Sequence, residues 1–565
     1  AQAIRRQTFN IESDSFQHRT VFMELTQRAT PSGGRGCCRL AVDMALRKRP
    51  VANEGSREAL RPSLRALDLT LIGVGASVGS GIFVIIGAAV QPTGPAVCLS
   101  FAIAAISSVF SALCYAELAA RIPETGSVYL YAYVAFGEFV ALVFGLNVMV
   151  DYHFGAALGI LSCGSYLHST LQGYFGEGVY VPDSRIFAAV IALITTATLC
   201  VGVEQGMKKV NGVLVSVKVL IVVVIIAVGS LKMHTENLSP FLPYGFGPVA
   251  STSTTCCFAY IGFGTVANAA EECVNPRRDL PIAITASLAI CSALYIAFAL
   301  VLCGIVPFRN IDPAAPVVDA FGPKYANVPW VAVLVDWGAI IGLYTTLLSG
   351  LYSQARMYLA MSRDGLICKA LSVVSPRFGT PVRSQLLCGL ISVVLAVCFP
   401  VNKLVRFLNI GVLLSYTVVC AGVLVLRAEN PTLTAVSSSV LTVASVLAAV
   451  VVELLSDISH TAASPVMMVV LCVLLFAICF VSCTALVCQK YRSPETFACP
   501  LCPAVPLFGI IINGYLLAQC HWEAWVRLAG TTLFILAIYV VRVRRALRQT
   551  SSTASHCEQL VEVVQ

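Results

Sequence analysis

The 565-residue chain is short of charge: only 12% of its residues are Asp, Glu, Lys or Arg, against 58% hydrophobic. This excludes an ordinary soluble protein, in which about a quarter of residues are charged. What remains is an all-α polytopic membrane protein, with length for a dozen or more spans of about 20 residues each. No cleavable leader is expected from the opening residues. Residues 1–66 are polar and hold twelve Lys or Arg against six Asp or Glu, so the first span is expected to direct its own insertion. No nucleophile–base pair, metal-ligating cluster or phosphate loop stands out, which argues against an enzyme and against a bound metal or organic cofactor. Cysteine is plentiful, at 23, but Cys163, Cys291, Cys303, Cys420, Cys472 and Cys479 lie in apolar runs. They read as small buried hydrophobes rather than as a disulfide framework. The formal charge of +8 gathers in the N-terminal segment and at Arg542, Arg544, Arg545 and Arg548. That is the pattern of positive-inside topology, not of nucleic-acid binding.

Apolar runs bounded by polar or Pro/Gly breaks mark fourteen candidate spans. They fall near 67–90, 96–120, 137–167, 186–203, 211–231, 248–271, 281–306, 330–361, 384–400, 404–427, 435–455, 465–488, 504–520 and 525–545. An even number puts both termini on one side. Arg121, Lys208, Lys209, Arg277, Arg278, Arg363, Lys369, Arg377, Arg383, Lys490 and Arg492 fall on that same side, which should be the cytoplasm. The chain then divides into a basic cytoplasmic segment 1–66, a ten-helix core 67–430, four additional spans 431–545 and a cytoplasmic tail 546–565. The lipid bilayer is one partner; oligomeric state is not readable.

One stretch organises the rest: Leu71-Ile-Gly-Val-Gly-Ala-Ser-Val-Gly-Ser-Gly-Ile-Phe83 carries four glycines inside a bilayer span. Each interior Gly costs about 1 kcal/mol of helix stability, and backbone that leaves the helix in hydrocarbon must find partners. The pattern predicts a helix broken near Gly79-Ser80-Gly81, with a positive dipole end and free amides around Ser77, Gly79, Ser80 and Gly81 to receive an anionic group. A close-packed helix pair built on small residues is the alternative. Five spans later Phe258-Ala-Tyr-Ile-Gly-Phe-Gly264 is again glycine-interrupted. Two interruptions in corresponding positions imply a 5+5 inverted repeat with a site between broken helices 1 and 6. Carbonyls around Phe258, Ala259 and Ile261 would suit an ammonium group. A ligand with both groups, about one residue in size, is an amino acid.

Several segments resemble a known family over nearly the whole of 67–545. Gly75-Ala-Ser-Val-Gly-Ser-Gly-Ile-Phe83, Cys114-Tyr-Ala-Glu-Leu-Ala-Ala-Arg-Ile-Pro123, Glu271-Glu-Cys-Val-Asn-Pro-Arg277, Ala360-Met-Ser-Arg-Asp-Gly-Leu366 and Leu408-Asn-Ile-Gly-Val-Leu-Leu-Ser-Tyr416 look like the cationic amino acid transporters of the amino acid-polyamine-organocation (APC) superfamily. Residues 504–545, with Asn513-Gly-Tyr-Leu516, Trp525 and Arg527, are similar to the two extra spans of its eukaryotic members. The resemblance implies a LeuT-like fold and alternating-access passage of arginine, lysine or ornithine, facilitated or proton-coupled, with the plasma membrane as the expected location. A broad or neutral amino acid carrier, and a transport-inactive sensor or accessory subunit, are the alternatives. Two positions depart from the family's pattern: Gly264 stands where Asp is usual, and Asp151 precedes Tyr152 where Glu is usual.

An ionisable group at the bilayer centre costs about 2.5 to 3.5 kcal/mol, so each needs a reason. Lys218 lies nine residues past Lys209, about 13 Å into its span. It resembles the lysine that proton-coupled members of the superfamily carry in span 5, with snorkelling to the interface as the structural alternative. Asp151 lies near mid-membrane in span 3 and is expected to read the ligand's side chain, unless it pairs with a helix hydroxyl or His153. Glu117, Glu271, Glu272, Arg121, Arg356 and Arg363 are expected to form salt bridges near the inner face.

Overall fold

The computed structural model describes residues 44–49, 62–175, 181–201, 206–311, 316–317, 319–322, 324–375, 378–456 and 465–564. Most of the expected N-terminal segment 1–66 therefore lies outside the described residues. Within them the chain is helical, and its only β pairings are the isolated bridges Leu64–Cys273 and Ala428–Tyr491. Among the described residues ten helical stretches are long and apolar enough to cross a membrane; the first, Ala66–Arg121, runs through two of the expected spans. Val382–Cys398 and Ala504–Ala518 are apolar but shorter.

The core sorts into two groups of helices. Val97–Arg121 and Pro276–Ile305 pack on each other and enclose both glycine-interrupted segments. Glu138–Phe175, Ser184–Val201, Pro329–Arg363 and Val382–Cys398 pack among themselves and form the other group. This matches the arrangement an inverted repeat requires, because equivalent helices of the two halves end up as neighbours.

The first interruption is sharp. Ala66–Ser77 ends where Val78 turns extended (φ −73°, ψ 108°), and a π-helical turn, Gly81–Ile85, starts the outer piece Ile86–Thr93. A second one differs from expectation. Gly247–Cys256 tightens into a 3₁₀ turn, Cys257–Tyr260, and runs on as Gly262–Asn268 without leaving the helical region. The i to i+3 bonds of that turn replace the unwinding that the glycines suggested. A third interruption went unread: the span expected at 404–427 is split into Val401–Phe407 and Ile410–Arg427 by Asn409, which is left-handed at φ 82°. Asn tolerates that conformation better than most residues, and its Nδ2 donates to the Thr254 carbonyl at 2.9 Å.

Candidate functional site

Breaking a helix inside a membrane frees carbonyls, and here a lysine receives them. Lys218 is fully buried. Its Nζ donates to the Gly75 carbonyl at 2.8 Å, the Val78 carbonyl at 2.5 Å and Thr345 Oγ1 at 2.7 Å. The Thr346 hydroxyl adds contacts to the same two carbonyls at 3.1 and 3.2 Å. Lys218 therefore does not snorkel; it closes the last turn of Ala66–Ser77. On the other side of the break, the outer piece starts afresh at Ser80, so its first amides have no carbonyl one turn back to serve.

The two interrupted segments touch directly. Gly262 N–H donates to Ser77 Oγ at 3.1 Å. A Cβ built on Gly81 would stand 2.7 Å from the Ala259 Cβ, and one on Gly79 would stand 2.5 Å from the Gly342 carbonyl oxygen. These glycines thus allow helix contact, the close-packing alternative raised by the sequence, as well as bare backbone at the break. The three carbonyls expected to be free are engaged: Phe258 O accepts from Ile261 N–H at 3.4 Å, Ile261 O from Gly264 N–H at 2.9 Å, and Ala259 O from the Tyr295 hydroxyl at 2.9 Å. The 3₁₀ turn explains the first, and the packing of Pro276–Ile305 the last.

Beside this junction lies a cavity with about 50 Å³ of free volume, room for a few waters rather than an amino acid. Ala76 comes from the first interrupted helix, and Phe258, Ile261 and Thr265 from the second. Tyr152, Gly155, Ala156 and Gly159 come from Glu138–Phe175; Thr346, Leu347, Gly350, Ser353 and Gln354 come from Pro329–Arg363. Of the residues singled out in the sequence, Phe258 and Ile261 line it. Ser77, Gly81 and Ala259 build the adjoining helix contact, Gly79 packs on Gly342 of Pro329–Arg363, Ser80 is buried beside it, and Gly264 faces the Tyr152 hydroxyl, 3.1 Å from where its Cβ would be. The Pro329–Arg363 wall was missed altogether. In an apolar span that is buried on several sides, no period marks the face toward the cavity.

Asp151 is a correction. It was expected to face the ligand, but its carboxylate is ion-paired with Arg527 and accepts the Val412 N–H at 2.8 Å. The acid caps the inner piece of the third interrupted helix, where an N-terminal dipole end favours negative charge. Neither His153 nor a helix hydroxyl takes that role: His153 lies against Tyr358 (2.9 Å) and Ser392 (3.4 Å). The lining of the cavity carries no ionisable acid or base other than the Tyr152 phenol.

At the basic face the expected salt bridges are present. Glu271 pairs with Arg363 at 3.1 Å and accepts the Thr125 hydroxyl at 2.7 Å, while Glu272 pairs with Arg356 at 2.7 Å. Glu117, fully buried, takes Arg427 at 2.5 Å and the Cys499 N–H at 2.8 Å. Arg121 instead donates to the Leu426 carbonyl at 3.3 Å. Arg356 and Arg363 sit on the helix that carries Gln354, about half a turn and two and a half turns beyond it.

Comparison with known proteins agrees with this architecture. The family described as amino acid permease matches residues 64–487, and the one described as the C-terminus of AA_permease matches 497–546. The chain is 38% identical over 529 residues to cationic amino acid transporter 9, chloroplastic, of Arabidopsis thaliana, covering 88% of this chain and 92% of that one. It is 37% identical over 402 residues to the methylthioribose transporter of Bacillus subtilis (strain 168), covering 68% of this chain and 86% of that one. A crystal structure of MhsT in complex with L-phenylalanine superposes with a TM-score of 0.51 at 14% identity, covering 76% of this chain and 98% of that one, which shows a shared LeuT-like fold. The chain belongs to the amino acid permease family of the APC superfamily, and is a multi-pass amino acid transporter, not an enzyme.

Proposed function

We propose that this protein moves amino acids, arginine and lysine among them, by alternating access through the cavity beside the two interrupted helices. The observation that carries this reading is the convergence there of the break at Gly79, the buried Lys218 that holds it, and a polar-edged cavity. In this reading the chain makes fourteen crossings with both termini on the basic face. The Ser80 and Gly81 amides receive the ligand carboxylate, and relaxation of the 3₁₀ turn releases Phe258 and Ala259 carbonyls to its ammonium. Lys218, whose ammonium holds the inner piece in place, is the group through which a proton couples to the cycle.

Similarity to a protein named as a cationic amino acid transporter supports a cationic side chain. So does the Phe258 ring in the cavity wall, which can face a cation. A second reading, a carrier of neutral amino acids, is favoured by the pairing of Asp151 with Arg527, which leaves the lining without a free carboxylate. Uptake of labelled arginine, lysine, leucine and alanine into reconstituted liposomes, with and without an inward proton gradient, separates them. The proposal expects saturable arginine and lysine uptake, each displacing the other. Saturable leucine and alanine uptake that arginine does not displace moves the assignment to the neutral reading. Absence of saturable uptake of all four contradicts the proposal.

A further inference from the structure

Between the cavity and the ion pairs of the basic face lie two buried side-chain amides, each with its NH₂ engaged and its oxygen unmatched. Gln354 is fully buried and lines the cavity. Its Nε2 donates to the Tyr152 carbonyl at 2.9 Å, which fixes the orientation of the amide, because only the nitrogen can donate there. Its Oε1 receives no hydrogen bond. Asn268, also fully buried, ends the Gly262–Asn268 helix and donates Nδ2 to Ser353 Oγ at 2.6 Å, again leaving its oxygen without a partner. Ser353 and Gln354 are neighbours on one helix and both line the cavity.

Buried acceptors without donors are rare and costly in folded proteins. Gln354 presents one in the cavity wall, where it calls for an outside donor, and Asn268 holds a second directly behind the lining residue Ser353. We infer that Gln354, with Asn268 behind Ser353, forms a side-chain subsite that accepts N–H groups from the ligand: a guanidinium, an ammonium or a primary amide. The inference rests on the cavity being the substrate site and deepens that reading by naming the chemistry of the side chain. A neutral carbonyl oxygen makes a charge-assisted bond to a cation without needing a carboxylate. This is how a lining with no free acid takes lysine or arginine. The same acceptors take the amide of glutamine, leave aliphatic side chains with an unpaired oxygen opposite, and repel a side-chain carboxylate. Discrimination therefore follows donor capacity and not charge, since a site built to hydrogen-bond a group rejects the analogue that lacks it.

The test is competition against labelled lysine uptake by the full chain in liposomes, with unlabelled lysine, arginine, glutamine, norleucine and glutamate. In the parent protein lysine, arginine and glutamine should each compete at least about tenfold better than norleucine, with glutamate weakest. Norleucine equal to glutamine overturns the inference with no variant required. Gln354→Met keeps the volume and removes the acceptor; the preference for lysine and glutamine over norleucine should fall about tenfold. A variant in which all competitors weaken together, or none changes, also overturns it. Gly155→Phe separates this from failure of the cavity itself, because a Cβ there already stands 2.9 Å from the Phe258 ring and the larger side chain fills the space. If Gly155→Phe transports normally, the cavity reading fails. If it is inactive while Gln354→Met keeps the parent ranking, only the subsite fails.

Discussion

Replacing Lys218 with methionine tests how the membrane break is held. Methionine is unbranched and flexible like lysine, one atom shorter, and offers no donor. In the native protein the ammonium serves Gly75 O, Val78 O and Thr345 Oγ1 at 2.8, 2.5 and 2.7 Å. Thr345 loses little, because its own hydroxyl still donates to Gly342 O at 2.9 Å. The two carbonyls lose more. Thr346 Oγ1 has one proton to share among Gly75, Val78 and Gly342, so at least one carbonyl is left buried and unpaired. Each orphan costs about 1–3 kcal/mol. Relief from burying an ammonium offsets part of this, leaving a loss of about 1–2 kcal/mol at the break for one orphan. At tenfold per 1.4 kcal/mol, the population with an intact break falls about five- to thirtyfold relative to alternatives. Purified Lys218→Met should remain monodisperse, lose heat resistance in detergent, and transport arginine about five- to thirtyfold more slowly, with a flat pH profile. Parent-like heat resistance together with parent-like uptake across pH would refute both the structural role of Lys218 and its role in proton coupling.

Asp151→Asn and Arg527→Gln should each destabilise the protein by about 3–5 kcal/mol, because each leaves the other charge buried and alone, whereas the double variant should recover most of the loss. A double-mutant cycle read by heat resistance checks this, and strict additivity would show that the pair does not couple. Gly81→Leu should abolish transport through overpacking against Ala259, and Ala259→Gly in the same chain should restore part of the folded yield. Failure of that rescue would return Gly81 to a role in admitting ligand alone.

Much of this was readable in advance, and for identifiable reasons. The apolar composition and the basic loops gave the membrane class, and the glycines of Leu71–Phe83 marked a break or a close helix contact, both of which the structure places there. Lys218 stood out since a lone charge in an apolar run must be answered by something, although its partners on Ala66–Ser77 and Pro329–Arg363 could not be seen. Asp151 shows the limit. Its partner Arg527 sits at the far end of the chain, and a buried acid looks the same whether it awaits a ligand or is already neutralised. The 3₁₀ turn at Cys257–Tyr260 was concealed for another reason: glycine permits unwinding without requiring it. The break at Asn409 depends on a side-chain bond to Thr254, which no local pattern announces.

In the proposed site the amino acid sits between Phe258 and Ile261 on one side and Tyr152 and Thr346 on the other. Cryo-electron microscopy of the full chain in nanodiscs at saturating lysine or glutamine tests it most directly. Ligand density is expected in this cavity, widened to admit it, with the carboxylate at the Ser80 and Gly81 amides and the side-chain nitrogen at Gln354 Oε1. Ligand density elsewhere in the protein, with the cavity unchanged, would contradict it.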